Sequence, residues 1–172
     1  MTEHAAASPA DDHAVRVRQM GAGDVPAFLE LIQALADYER LPGPDPAARA
    51  RLALDAVAEP PPFFVLLAER GGRAIGYALY FMTYSTFLAR PSLYLEDIFV
   101  LERERRHGVG HALMRALARE AVARGCGRME WQVLKWNAPA IEFYRGLGAA
   151  PLDDWVGYRL TAEQIQRIAE EP

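Results

Sequence analysis

The stretch Leu93-Tyr94-Leu95-Glu96-Asp97-Ile98-Phe99-Val100, with Arg105-Arg106-His107-Gly108-Val109-Gly110 just after it, decides the fold. Residues 93–101 are apolar on both faces of a strand, which predicts a central strand rather than an edge. From Val109 the period changes: Val109, Ala112, Leu113, Ala116, Leu117 and Ala121 form one helical stripe, and Gly125 supplies the stop. A glycine-bearing turn between a strand and a helix points backbone N–H groups into an open concavity, with the helix dipole behind them. Such a turn is an anion site suited to a pyrophosphate. Arg105 and Arg106 would add charge-assisted donors, and glycine keeps side chains out of the path of phosphate oxygens. Taken alone, Arg-x-x-Gly-x-Gly equally describes an ordinary helix start, and the basic run 103–107 a solvated turn.

The strand also carries two carboxylates. Strict alternation puts Glu96 on one face with Tyr94, Ile98 and Val100, and Asp97 on the other with Leu95 and Phe99. A carboxylate in apolar company costs several kcal/mol unless it is paired or opens onto a cleft. Glu96 is read as the functional group: burial raises its pKa and suits it to act as a base, directly or through water. For Asp97 a structural hydrogen bond or salt bridge is as good an account as a functional one.

The rest of the chain supports one α/β domain over 14–172 behind a disordered leader at 1–13. Residues 15–20 alternate as a strand, and Asp24 offers an N-cap to a helix ending near Glu39. An alanine-rich helix follows over 47–57, then strands at 63–69 and 73–84 joined by Arg70-Gly71-Gly72. Beyond Gly125 come a strand at 128–134, a short helix at 138–147, a last strand at 155–160 and a terminal helix from Thr161.

Within 172 residues, 51% hydrophobic and 24% charged, there is room for a sizeable core, and disorder, collagen and disulfide-scaffold classes are excluded. The net charge of −4 argues against a nucleic-acid or membrane-surface binder and fits a cationic small molecule. The single cysteine, Cys126, excludes an internal disulfide, and no Cys/His cluster predicts a metal site. No apolar run is long enough to span a bilayer and 1–13 lacks signal-peptide character, so the expectation is a cytoplasmic protein.

A third constellation is Trp136-Asn137-Ala138-Pro139-Ala140-Ile141-Glu142-Phe143-Tyr144. Asn137 is an N-cap candidate, and Pro139 falls in the first turn, where its missing N–H is harmless. Tyr144 follows two helical turns later on the same side. Such an aromatic is commonly core, but a phenol with a pKa of about 10 also suits proton donation to a leaving thiolate.

The three pieces together resemble the GNAT superfamily of acetyl-CoA-dependent N-acetyltransferases, and within it the spermidine/spermine (diamine) and thialysine N-acetyltransferase subgroup. The subgroup marks are Leu35-Ala36-Asp37-Tyr38-Glu39, Phe81-Met82-Thr83-Tyr84, the 93–100 strand and Trp136-Asn137-Ala138-Pro139. The resemblance covers about 15–160. It implies a mostly antiparallel sheet of six to seven strands, splayed in the middle and flanked by helices on both faces. It also implies that the backbone of Ile98, Phe99 and Val100 pairs with the pantetheine arm of acetyl-CoA. Arg105, Arg106, His107, Gly108, Val109, Gly110 and His111 would hold the pyrophosphate, and Asn137, Ala138, Pro139 and Ala140 would touch the cofactor. Tyr144 would protonate the departing thiolate. Glu96 would receive the amine, with Tyr38, Glu39 and Tyr84 lining the slot. Members are commonly homodimers.

The amine must lose a proton before attacking the thioester, and carboxylates both attract the cation and can take that proton. Direct transfer in a ternary complex is expected, without an acyl-enzyme. Polyamine-acetylating members carry an acidic residue and a tryptophan where this chain has Ser85-Thr86-Phe87, and Val156 stands at another acidic position. A shorter or lysine-like amine is therefore as compatible as a long polycation. Arg106 and His107 replace a glycine and an aromatic of the relatives. The alternatives are acetylation of a protein or peptide amine, and a non-catalytic acyl-CoA-binding domain; a sensor would need neither Glu96 nor Tyr144.

Overall fold

The computed structural model describes residues 14–171, which form two compact units, 14–132 and 133–171. The leader expected over 1–13 lies outside the described residues.

The first unit contains β1 (Arg16–Gln19), α1 (Val25–Glu39), α2 (Pro46–Asp55), β2 (Phe64–Arg70), β3 (Arg73–Ser85), β4 (Arg90–Val100), α3 (Val109–Ala123) and β5 (Arg128–Trp131). The strands form a five-stranded sheet in the order β1-β2-β3-β4-β5. Its pairings are antiparallel except for the parallel β4–β5 edge. β4 is thus internal, as its two apolar faces predict.

The helices cover opposite faces. Phe28 and Leu31 of α1 pack with Val65, Leu67, Tyr77, Leu79 and Phe99 in the buried core, with Phe28 edge-on to Tyr77 at 5.4 Å. Each such burial is worth about 1.5–3 kcal/mol. α3 buries Val109, Leu113, Leu117 and Ala121 of the predicted stripe and Met114 besides, while Ala112 and Ala116 are half-buried. Its Glu120 reaches Tyr80, three residues beyond Tyr77 and so on the other side of β3. Asp24 begins α1 without capping it through its side chain, which instead accepts from the Gly21 N–H and pairs with Arg18. That ion pair, with Glu69 on the same guanidinium, ties β1 to β2 and holds the Asp24 carboxyl down near 2.

The second unit contains α4 (Ala138–Gly146) and α5 (Ala162–Ala169). Thr161 and Gln164 close a reciprocal capping box at the start of α5. The strand expected at 155–160 does not form, and those residues are irregular and exposed. The sheet has five strands in place of the six to seven expected. The reason is a missing partner: an extended run gains its hydrogen bonds only from a neighbouring strand, and the described residues of this unit contain none.

Candidate active site

The site in the first unit is built on β4, where the ladder changes character at Glu96. Before it, β4 is paired on both sides: Tyr80 stands opposite Leu95, and Leu95 opposite Trp131 of β5. After it, Leu79 stands opposite Asp97, so Glu96 is an extra residue, a β-bulge, with no partner on β3. β5 ends at Trp131, and among the described residues no strand pairs with β4 on that side from Glu96 to Val100.

The phase of the ladder shows what this open edge offers. The Leu101 N–H bonds to the Ile75 carbonyl at 3.0 Å. By alternation Phe99 and Asp97 direct their backbone groups toward β3, while Ile98 and Val100 direct theirs to the open side. An extended amide-bearing chain can add there as a strand does. Gly76 lets β3 come close at this point: a Cβ on it would sit 2.6 Å from the Phe99 carbonyl oxygen. The sequence reading missed Gly76, although a glycine inside a strand is itself a sign of close backbone approach.

The turn beyond β4 has the conformation an anion site needs. Arg106 (φ 64°) and Gly108 (φ 78°) are both left-handed. A Cβ on Gly108 would meet no protein atom within 4 Å, so the turn opens outward. The first intrahelical bond runs from the Ala112 N–H to the Gly108 carbonyl, leaving the Val109 and Gly110 N–H groups without a partner inside the helix. Arg106 and His107 are exposed beside them. Left-handed φ favours glycine, so arginine at 106 carries strain of about 1 kcal/mol. An ion pair between Arg70 and Glu104 at 2.5 Å fastens the preceding 3₁₀ turn to the β2–β3 hairpin.

Two expectations need correction. Glu96 is exposed, and the carboxylate withdrawn from water is the half-buried Asp97. The bulge breaks the alternation between Leu95 and Asp97: Leu95 stands opposite Tyr80, while Asp97, opposite Leu79, keeps only the Phe99 side, which is the α1 face. There Asp97 accepts from the Tyr77 hydroxyl at 3.2 Å. Burial pushes its carboxyl up to about 6, against the help of that hydrogen bond, with Glu96 and Glu39 adding repulsion. Arg105, in turn, does not extend toward the helix start. Its Nε donates to the Val100 carbonyl at 3.0 Å, and its guanidinium lies 4.3 Å from the centre of the Tyr38 ring.

Tyr38 and Glu39 sit in the last turn of α1, which holds no basic residue. A carboxylate opposes the helix dipole at that end, and burial raises the Glu39 pKa. Glu39, Glu96 and Asp97 share one electrostatic neighbourhood. No lysine or arginine forms an ion pair with any of them among the described residues. Tyr84 is exposed near the tip of the β3–β4 hairpin. No cluster of His, Cys, Asp and Glu among the described residues could hold a metal, and no described helix is long and apolar enough to cross a membrane.

In the second unit Asn137 caps α4, its side chain accepting from the Ala140 N–H at 3.3 Å, with Pro139 in the first turn. Ala138 opens the helix. Tyr144 is half-buried against Phe143, and desolvation pushes its hydroxyl up to about 12, so it holds its proton at neutral pH.

Comparison with known proteins gives this geometry a family. Residues 28–149 match the model of the acetyltransferase (GNAT) family. The chain is 33% identical over 166 residues to a thialysine N-epsilon-acetyltransferase of Sus scrofa, covering 90% of this chain and 97% of that protein. It is 30% identical to a spermidine/spermine N(1)-acetyltransferase-like protein of Homo sapiens over 91% of this chain, spanning 24% of the human protein. Among solved structures, an aminoglycoside N-acetyltransferase in complex with CoA superposes with a TM-score of 0.73 at 23% identity, over 90% of this chain and 99% of that one. The mixed sheet with its helices, the family match over most of the chain and the full-length relatives agree: this chain belongs to the GNAT family of acetyltransferases.

Proposed function

We propose that this amine N-acetyltransferase moves an acetyl group from acetyl-CoA to the primary amine of a small cationic molecule, a diamine, polyamine or thialysine-like compound. The observation that carries the reading is the open edge of β4 beside carboxylates that have no ion-pair partner among the described residues. The edge fits the cofactor's amide-bearing arm: Ile98 and Val100 face it with backbone groups, and Phe99 anchors the strand to β3. The outward-opening turn fits a diphosphate, with Arg106, His107, Gly108, Val109, Gly110 and His111 around it. The related fold that carries CoA supports the same assignment.

Glu39, Glu96 and Asp97 draw the ammonium in. Glu96, exposed at the bulge, takes the proton from the amine directly or through water, and the free amine attacks the thioester carbon. A backbone N–H on the open edge of β4 polarises the carbonyl. Tyr144 gives its proton to the departing thiolate, with Asn137 and Ala138 to Ala140 against the cofactor. Tyr38 and Tyr84 line the amine's approach. The relatives' names support small amines of this class.

The test is incubation with acetyl-CoA and thialysine, spermidine, putrescine or a lysine-bearing peptide, with released thiol as readout. Turnover confined to the small amines is the expected result. Turnover of the peptide alone would move the activity to proteins. Tight CoA binding without turnover of any amine would make the chain a sensor.

A further inference from the structure

We propose that Arg105 is a positioning residue that locks the phosphate-side turn to the amine-side end of α1, so that Tyr38, which faces the amine, supports the cofactor site through it. The inference rests on the acetyl-CoA reading above and adds a residue role to it. Arg105 opens the turn, where an arginine would be expected to reach for phosphate. Its groups are instead spent inward. Nε bonds to the Val100 carbonyl, which the ladder phase directs to the open side of β4. The guanidinium carbon lies over Tyr38, 4.3 Å from its ring centre, and 5.6 Å from the Phe99 ring centre, while the Tyr38 and Phe99 rings themselves stand 6.4 Å apart.

One planar cation therefore touches the end of β4, its own turn and the last turn of α1. Arginine suits this task because its face stacks while its edge donates; an ammonium is a point charge and cannot do both. Arg106, the next residue, is exposed and makes no ion pair among the described residues, which leaves it free for the phosphate side. The two neighbouring arginines divide the work. Arg106 meets the ligand, and Arg105 holds the frame. A shift of the turn is felt at Tyr38 and, by linkage, a change at Tyr38 is felt at the turn.

The experiment is calorimetric titration of CoA into wild type, Arg105→Lys, Arg105→Gln, Arg106→Gln, Tyr38→Phe, Tyr38→Leu and the Arg105→Lys/Tyr38→Leu double variant, at several salt concentrations. A clamp predicts that Arg105→Lys and Tyr38→Leu each weaken CoA binding by about 10-fold, the scale of a desolvated cation–aromatic stack. The double variant should be little worse than either single one, and Tyr38→Phe, which keeps the ring, should bind as wild type does. Salt dependence should stay unchanged in the Arg105 variants and flatten in Arg106→Gln. Wild-type affinity in Arg105→Lys, a flattened salt dependence in Arg105→Gln, or normal CoA binding by Tyr38→Leu would each overturn the clamp. Melting curves identify any variant that does not fold. Should Tyr38→Leu be one, Arg105→Lys against Tyr38→Phe still decides. Failure of wild type to bind CoA would instead defeat the acetyl-CoA reading itself.

Discussion

Two buried tyrosines stand on opposite faces of β3, and each donates its hydroxyl to a carboxylate: Tyr80 to Glu120 on the α3 side, Tyr77 to Asp97 on the α1 side. On the α3 side the charge is answered. Arg124 pairs with Glu120 at 3.3 Å and stacks on Phe64 at 4.3 Å, while Gln19 also reaches the Tyr80 hydroxyl. On the α1 side, among the described residues, no lysine or arginine pairs with Asp97, and Arg105 nearby is turned to Tyr38 and the Val100 carbonyl; Glu39 and Glu96 add negative charge, and burial drives both the Tyr77 hydroxyl and the Asp97 carboxyl upward. The same pair of residue types thus closes one face and leaves the other in need of a positive charge. In a folded protein an unanswered carboxylate drawn half out of water costs stability, and a cationic substrate is what would offset it.

The largest break expected lies outside both pairs. Tyr144→Phe should lower turnover by roughly 10²- to 10⁴-fold, the contribution of a general acid, with CoA affinity nearly unchanged. Normal turnover would remove Tyr144 from the chemistry. On the two faces, Glu96→Gln should lower kcat/KM for the amine by about 10²-fold, whereas Glu120→Gln should leave kinetics within about twofold, being answered by structure alone. Equal losses would abolish the contrast.

A pH series sharpens it further. Asp97 titrates near 6 in the folded chain and near 3.8 when unfolded. Between these values the folded state keeps a proton that the unfolded chain has released. The contribution is therefore full below about 3.8 and is lost as pH rises through about 6. Its size is on the order of 3 kcal/mol, at 1.4 kcal/mol per unit. Asp97→Asn, which still accepts from Tyr77, should accordingly raise the unfolding free energy at pH 7.5 by up to that amount and make no difference near pH 3.5. A gap of the same size at both pH values would refute the assignment. The smallest effect concerns the turn: Arg106→Gly should raise stability by up to about 1 kcal/mol through relief of the left-handed φ, as read from denaturant midpoints, while weakening CoA by the loss of one charge.

Much of this was legible beforehand. The ends of α1 and α3, the Asn137 cap and the internal position of β4 follow from neighbours in the chain, and the structure places them where those neighbours predict. The site was legible in its parts: the carboxylate pair, the glycine turn and the Tyr38-Glu39 step were all identified, but the orientations of Glu96 and Arg105 were not. Strict alternation cannot see a bulge, because the extra residue is defined by the partner strand. Nor can spacing say which way an arginine turns when a tyrosine sixty-seven residues earlier offers its ring.

The chain order of strand, turn and helix, the caps and the glycine that must take φ 78° are local matters, settled by backbone sterics and hydrophobic period within a few residues. Which carboxylate is drawn in from water, which arginine turns inward and how many strands close the sheet were settled only by tertiary structure. Each of these depends on cross-strand register and on packing between segments far apart in the chain, where the energy lies in the pairing and not in either segment alone.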